Sequence, residues 1–425
     1  VATFNVLNYF SDLGVDEAGC TGYPDRTGAF VTAKKCKVRG AFSREAFVNQ
    51  EAKIVSAINA LGADVVALEE IENPVAVGVG TDRDASLARL VEALNKAAGA
   101  GTWAYVPSPQ TVPAAEDVIR VAFIYKPATV APVGESLIDD DPAFTGLARQ
   151  PLAQEFARVT AQRSVPASFV VIANHFKSKG SVPEGAGEGN VDNGDGQGNA
   201  NAIRVAQAQA LASFAARFSD KPTLLVGDFN SYSQEDPIKA LETAGWAHVS
   251  GAGEASYVYS GRSGSLDHVF ANAAAKPLLA GVTSWAVNAQ ESIAFEYSRA
   301  GMNAHLAIEA DNPYRSSDHN PELIGLTLGG GEDPAPAPSA DPSASPTEAP
   351  SPAPASSQAP SPAPQRGLSQ GATASTRTTP TRQTRTPGNL ARTGTDADRA
   401  VGLGVLLAAA GGGLLLVARR VRRRG

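Results

Sequence analysis

Six polar clusters in this chain each stand at the end of an apolar run, and together they hold the residue types that hydrolysis of a charged ester needs. They are Asn5 in Ala2-Thr-Phe-Asn-Val6, Glu70 in Ala67-Leu-Glu-Glu-Ile-Glu-Asn73, and His175 in Ile172-Ala-Asn-His-Phe-Lys177. The others are Asp228 and Asn230 in Leu224-Leu-Val-Gly-Asp-Phe-Asn230, Asp267 in Ser265-Leu-Asp-His-Val-Phe270, and Asp318-His319 in Ser316-Ser-Asp-His-Asn-Pro321. Singly, each reads as a strand-to-turn junction, Gly-Asp-x-Asn being ordinary turn chemistry. As a set they read differently, because a carboxylate among apolar neighbours costs several kcal/mol unless it is paired or metal-bound. Asp228 and Asn230, two positions apart, share one side of an extended chain. Three of the five histidines fall within these segments.

The elements that must carry these groups alternate between strands and helices. A first strand opens at Val1. Phe47, Ile54, Val55, Ile58 and Leu61 recur at helical spacing, with Ser43 as N-cap and Gly62 as stop. A buried strand, 64–68, then delivers Glu69, Glu70 and Glu72. A helix with Leu87, Leu90, Val91 and Leu94 follows, then strands near 103–106 and 118–125. Residues 128–168 carry no clear period. The strand 168–175 opens into a Gly/Asn/Asp-rich loop, 180–201, and a helix with Ile203, Ala206, Ala210, Leu211 and Phe214. After the Gly-Asp-Phe-Asn strand come a short helix at 236–244 and strands at 266–270, 282–287 and 323–328. Short apolar strands outnumber helices, which predicts two packed sheets with helices outside.

Charge and composition divide the chain. Residues 1–329 are ordinary globular sequence with 25 Lys+Arg and 37 Asp+Glu, 25 − 37 = −12, against −7 for all 425 residues. Overall charge therefore does not hold a nucleic acid there, and such a ligand needs a local basic strip or bound cations. Val1 already looks like strand interior, which predicts that something precedes it. Residues 330–389 are rich in Pro, Ser, Ala and Thr and predict a disordered spacer. Leu390, Ala391, Arg392, Thr393 and Gly394 follow as a five-residue motif. Then come nineteen uncharged, mostly apolar residues at 400–418, long enough to cross a bilayer, and a basic tail at 419–425. This order resembles the sorting signal of sortase-anchored proteins of Gram-positive bacteria, with Ala391 where the commonest version has Pro. A plain membrane anchor is the alternative; both readings put residues 1–329 outside the cell. In that compartment Cys20 and Cys36 are expected to form a disulfide.

The ordered set Phe-Asn, Glu70, Asn-His, Gly-Asp-Phe-Asn, Leu-Asp-His and Ser-Asp-His resembles the endonuclease/exonuclease/phosphatase superfamily, which includes pancreatic-type deoxyribonuclease, apurinic endonucleases, sphingomyelinases and inositol-polyphosphate phosphatases. Ala2-Thr-Phe-Asn-Val-Leu-Asn-Tyr-Phe10, Phe123-Ile-Tyr-Lys-Pro127 and Asn174-His-Phe-Lys-Ser-Lys-Gly180 are similar to its secreted bacterial nucleases. That subgroup often has a cysteine near Asn199, so a second disulfide is not expected here. The resemblance implies a four-layer α/β/β/α sandwich of two mixed sheets over 1–329. It implies Mg²⁺ or Mn²⁺ held by Glu70, with Asn5 and Asp318 nearby, ligands of a kind that suits hard cations. His319 would be the base, oriented by Asp267; Asp228 would direct the water, Asn230 would hold a phosphate oxygen, and His175 would contact the phosphate or protonate the leaving oxygen.

Lys177, Lys179 and Arg204 are candidate phosphate contacts. Asn190-Val-Asp-Asn-Gly-Asp-Gly-Gln-Gly198 has the composition of a Ca²⁺ loop, yet Ile203 stands where its closing Glu belongs, so a structural Ca²⁺ stays open. The expected protein is a monomeric, cell-wall-displayed nuclease acting on DNA, with RNA as a second polymer. Two rivals remain: a lipid or small-ester phosphodiesterase of the same fold, disfavoured because no aromatic hairpin suited to entering a membrane stands out, and a non-catalytic adhesin.

Overall fold

Val65 and Ala67 point to one side of their strand and Val66 and Leu68 to the other, and all four are buried. A strand covered on both faces lies between two layers, and the same alternation recurs across the molecule. The computed structural model describes residues 1–159, 168–251, 255–298 and 311–328. In chain order the elements are β1 (Ala2–Tyr9), β2 (Thr21–Pro24), β3 (Phe30–Lys34), α1 (Arg44–Ala60), β4 (Val65–Glu72), α2 (Pro74–Val77), α3 (Ala85–Ala98), β5 (Ala104–Tyr105), β6 (Ile119–Tyr125), β7 (Val130–Ile138), β8 (Arg149–Arg158) and β9 (Ser168–His175). They continue with α4 (Asn201–Ala215), β10 (Thr223–Asp228), α5 (Asp236–Thr243), β11 (Ala247–His248), β12 (Tyr257–Tyr259), β13 (Arg262–Gly264), β14 (Asp267–Ala271), β15 (Leu279–Ser284) and β16 (Glu322–Leu326).

Two six-stranded sheets result, ordered β15-β16-β1-β4-β6-β5 and β11-β14-β10-β9-β8-β7. Each is mixed: β1 and β4 are parallel, as are β9 and β10, and their other neighbours are antiparallel. Val65, Ala67, Val121 and Phe123 of the first sheet meet Phe156, Val171, Ala173 and Val226 of the second in one core. The outer faces are covered by helices, α1 and α3 on the first sheet and α4 and α5 on the second. The four layers expected over the globular region are therefore present in the described residues.

Ser43 caps α1 by accepting from Ala46 N, as its sequence predicts, and Gly62 past the helix end has φ +72. Two departures have local causes. Residues 128–168 hold two long strands, β7 and β8, disguised by Pro132, Gly134 and Pro151 and by the buried polar residues Gln150 and Gln154. The strand expected at 282–287 is β15, which begins earlier and leaves the sheet after Ser284; Arg315 N then donates to Val287 O outside it. The spacer, the motif of Leu390, Ala391, Arg392, Thr393 and Gly394, the span at 400–418 and the basic tail lie outside the described residues. Within the described residues, no helix is long and apolar enough to cross a membrane.

Candidate active site

Register brings the catalytic types to one edge. In the second sheet Asp228 pairs across β10 with His175 on β9 and with Asp267 on β14. In the first sheet Asn5 lies beside Glu69, and the β1–β4 register shifts just beyond, between Asn5 and Tyr9. Leu7, Asn8 and Glu70 have positive φ (52, 53 and 66) at this paired irregularity. Non-glycine residues held there are strained, by on the order of 1–3 kcal/mol each. The bulge decides which of two adjacent glutamates faces out: Glu70 lines the cleft, whereas Glu69 is fully buried and accepts from Thr3 Oγ1 at 2.7 Å.

His319 precedes β16 and is held through its Nδ1. Its Nδ1 lies 2.7 Å from Asp267 Oδ2, which also accepts from Ser256 Oγ at 2.6 Å. Its Nε2 lies 3.9 Å from Asp228 Oδ2. The loop beneath is fixed by Asn288, which donates to His319 O and accepts from Ser316 N, and by Ser317 Oγ, which donates to Asn5 O. His175 Nε2 stands 3.4 Å from Asp228 Oδ2 and 3.9 Å from Glu70 Oε1. Asn5 Nδ2 spans Glu70 Oε1 (3.2 Å) and Asp228 Oδ2 (3.4 Å), joining the two sheets' carboxylates.

Burial sets the protonation of these groups. It raises Asp228 to about 7, against the opposing pull of His319. It raises Glu70 as well, with Asp318 adding to the shift. Burial holds His175 well below the usual imidazole range, with Arg149 adding to it. For His319 burial acts downward, but Asp267 and Asp318 outweigh it and hold the imidazole well above its usual range. Burial and neighbouring charge thus move the two imidazoles in opposite directions.

A cleft of about 950 Å³ opens over these groups and is lined by Glu70, His175, Asp318, His319, Arg149 and Lys177, among others. Asp228, Asp267 and His319 bring three ligand atoms within 4.8 Å of one another, the group of this kind found among the described residues. Asp267 and His319 are already bound to each other, so we read that group as a base pair beside a carboxylate. Glu70 and Asp228 are the better cation ligands. Four carboxylates, Glu70, Asp228, Asp267 and Asp318, crowd one buried edge, and this surplus of hard anionic oxygen fits a divalent cation.

Asn5 turns its NH₂ toward the carboxylates while its Oδ1 accepts from Leu7 N at 3.0 Å, so in this arrangement it bridges Glu70 and Asp228. One expectation, phosphate contact by Lys179 and Arg204, needs correction. Lys179 and Arg204 are buried behind the edge, both paired with Glu235, and Arg204 also binds Ser231 Oγ and backbone oxygens of the 197–199 loop. They brace that loop and do not reach the cleft. In the Gly/Asp-rich loop, Asp192 and Asp195 accept from Gly194 N and Gln197 N in their own turns. Asn230, at φ +46, donates its Nδ2 to Phe176 O, and its backbone N–H donates to Asp228 Oδ1 at 2.7 Å. Lys177 lines the cleft and donates to Ser181 Oγ.

Sequence reading passed over Arg149, Ser256 and Tyr257. Arg149 is 7 % exposed, lines the cleft, and donates to Phe176 O at 2.7 Å. Tyr257 packs at a tilt against His319 with ring centroids 4.7 Å apart. None lies in a motif; a lone Arg opening a strand was the one available signal.

The model of the Endonuclease/Exonuclease/phosphatase family matches residues 2–319, and the chain belongs to that family. Its members are hydrolases of phosphodiesters and phosphate esters, generally metal-dependent. No curated protein matches the chain. Among solved structures it is similar to an endonuclease/exonuclease/phosphatase from Bacteroides vulgatus, at 12 % identity over 77 % of this chain and 98 % of the other, TM-score 0.42. It is similar also to beta toxin from Staphylococcus aureus (14 %, 76 % and 98 %, 0.44) and to a mannosyl-6-phosphatase from Bacteroides thetaiotaomicron (11 %, 67 % and 93 %, 0.41). Likenesses at this level add nothing to the family assignment.

Proposed function

We propose that the domain is a nuclease that hydrolyses DNA phosphodiesters by attack of water, with RNA as a second polymer. The observation that carries the reading is Asp228 within 3.4 Å of His175 and 3.9 Å of His319, with Asn5 tying it to Glu70. The Asp267–His319 pair matches a base whose tautomer is fixed by a carboxylate. Asp228 orients the water, and neutral His175 donates a hydrogen bond to a phosphate oxygen. Glu70 and Asp228 would hold Mg²⁺ or Mn²⁺, which supplies charge neutralisation at the phosphate and the leaving oxygen. Arg149 and Lys177 supply fixed positive charge on the cleft wall.

Display on a Gram-positive cell wall is proposed from sequence alone, from the order of spacer, Leu390–Gly394 motif, apolar run and basic tail. The partners proposed are accordingly the nucleic acid, a sortase, and the membrane before sorting. A plasmid-nicking assay with and without EDTA, run beside a phospholipid hydrolysis assay, tests the function. EDTA-sensitive nicking without phospholipid turnover is expected; lipid turnover alone would move the substrate, and neither activity would leave a binding protein.

A further inference from the structure

The β2–β3 hairpin, closed by the Cys20–Cys36 disulfide, forms part of the cleft wall. Its register pairs Thr21 with Lys34 and Tyr23 with Thr32, so these four side chains share one face. Tyr23 and Thr32 line the cleft together with Arg39 at the hairpin's root, and Thr32 Oγ1 donates to Ser298 O of the opposite rim at 3.0 Å. The other face carries Ala33, which is buried. Lys34 Nζ lies 4.3 Å over the Tyr23 ring.

Charge on this segment runs against that of the domain. Residues 21–39 hold Arg26, Lys34, Lys35, Lys37 and Arg39 against Asp25, 5 − 1 = +4, within residues 1–329 that sum to −12. Arg39 bridges to Asp117 at 2.8 Å and Lys37 Nζ donates to Val77 O, whereas Lys34 and Lys35 form no ion pair among the described residues. Aromatic rings interleaved with unneutralised cations, beside an acidic site that must admit a polyanion, are the chemistry of backbone tracking and base stacking.

We propose that this hairpin binds the polynucleotide that flanks the scissile phosphate, with Tyr23 on its cleft-facing side against a base, and Lys34 and the exposed Lys35 at the edge of that side on backbone phosphates. The proposal rests on the nuclease reading. Phe30 at the start of β3 is 42 % exposed. A lipid surface fits less well. The hairpin tip is Asp25-Arg-Thr-Gly-Ala29, with Asp25 Oδ1 accepting from Thr27 and Ala29, and a charged tip does not enter hydrocarbon.

The test uses the full chain with Lys34→Glu/Lys35→Glu and, separately, Lys34→Ala/Lys35→Ala. It measures KM and kcat on long duplex DNA across a salt series, turnover of bis(4-nitrophenyl) phosphate, and sedimentation with phosphatidylglycerol vesicles. The expected result is a DNA KM raised at least tenfold in the Glu variant and less in the Ala variant, with kcat and small-ester turnover kept. The salt dependence of 1/KM should become shallower by about one unit of slope per lost phosphate contact. Wild-type KM and slope in both variants would overturn the proposal alone, leaving the nuclease reading intact. Vesicle binding lost with DNA KM unchanged would overturn it in favour of an anionic membrane. Loss of small-ester turnover in both variants would mark the hairpin as a structural brace and overturn it too. A wild-type protein that turns over the small ester and leaves DNA uncut would overturn the nuclease reading and this proposal with it.

Discussion

Two clusters of buried charge flank the same strand end, and they are opposites. Behind β10, Lys179, Arg204 and Glu235 close on one another, and Asn199 O, Gln197 O and Ser231 Oγ accept three more of the guanidinium's N–H donors. In front of it, Glu70, His175 and Asp318 line the cleft with buried Asp228 3.4 Å from His175, and His175 Nδ1 has no hydrogen-bond partner among the described residues. Both clusters look equally reactive as sequence. Satisfaction separates them: charge that finds its partners inside the fold holds the fold, and charge left facing open volume awaits a ligand.

Removing groups from either cluster should therefore move different observables. His319→Ala is expected to lower phosphodiester turnover of the folded fraction by about 10²–10⁴-fold; a folded variant with normal kcat would end the comparison. Glu70→Gln should weaken metal activation, read as a rise in the Mg²⁺ concentration giving half-maximal rate, on the order of tenfold. An unchanged activation curve would take Glu70 out of the cation site. Glu235→Gln should do the reverse. Stranding Lys179 and Arg204 costs about 3–5 kcal/mol in urea unfolding, with kcat of the folded fraction kept, and a stable but inactive variant would show that the rear cluster also serves catalysis.

The smallest effect concerns pH. His268 donates Nε2–H to Ser231 O at 2.7 Å and has its Nδ1 3.0 Å from His248 Nε2. Burial, with His248 adding to it, pulls His268 from 6.5 down to about 3. The unfolded chain then binds more protons than the folded one between those two values. Stability is therefore whole above the unfolded value and falls as the solution is acidified toward the folded one, by on the order of 1 kcal/mol per pH unit. His268→Gln should flatten that slope in acid-denaturation curves, and an unaltered slope would assign the acid sensitivity elsewhere.

Much of this was legible before any coordinates. The helices announce themselves by caps and spacing, as Ser43 and Gly62 do, and the polar strand ends announce an edge. What stayed hidden depends on long-range partners. Nothing near Lys179 in sequence shows that Glu235, 56 positions on, will pair with it. Glu69 and Glu70 are indistinguishable until a bulge turns one outward. Asn5 is rightly located, yet its amide orientation follows from Leu7 N–H. β8 was missed because Gln150 and Gln154 are buried polar residues in a run that periodicity expects to be apolar.

Gly227 has φ +128, and a methyl group built on it would overlap the carbonyl oxygen of Asn174 on the neighbouring strand. The spacing between Asp228 and His175 is thus set by two main chains in direct contact, with no packing of side chains between them to be varied. Laboratory evolution of this enzyme should find new substrates by rewriting the walls of the cleft, while the distance across its floor stays beyond the reach of any single replacement at position 227.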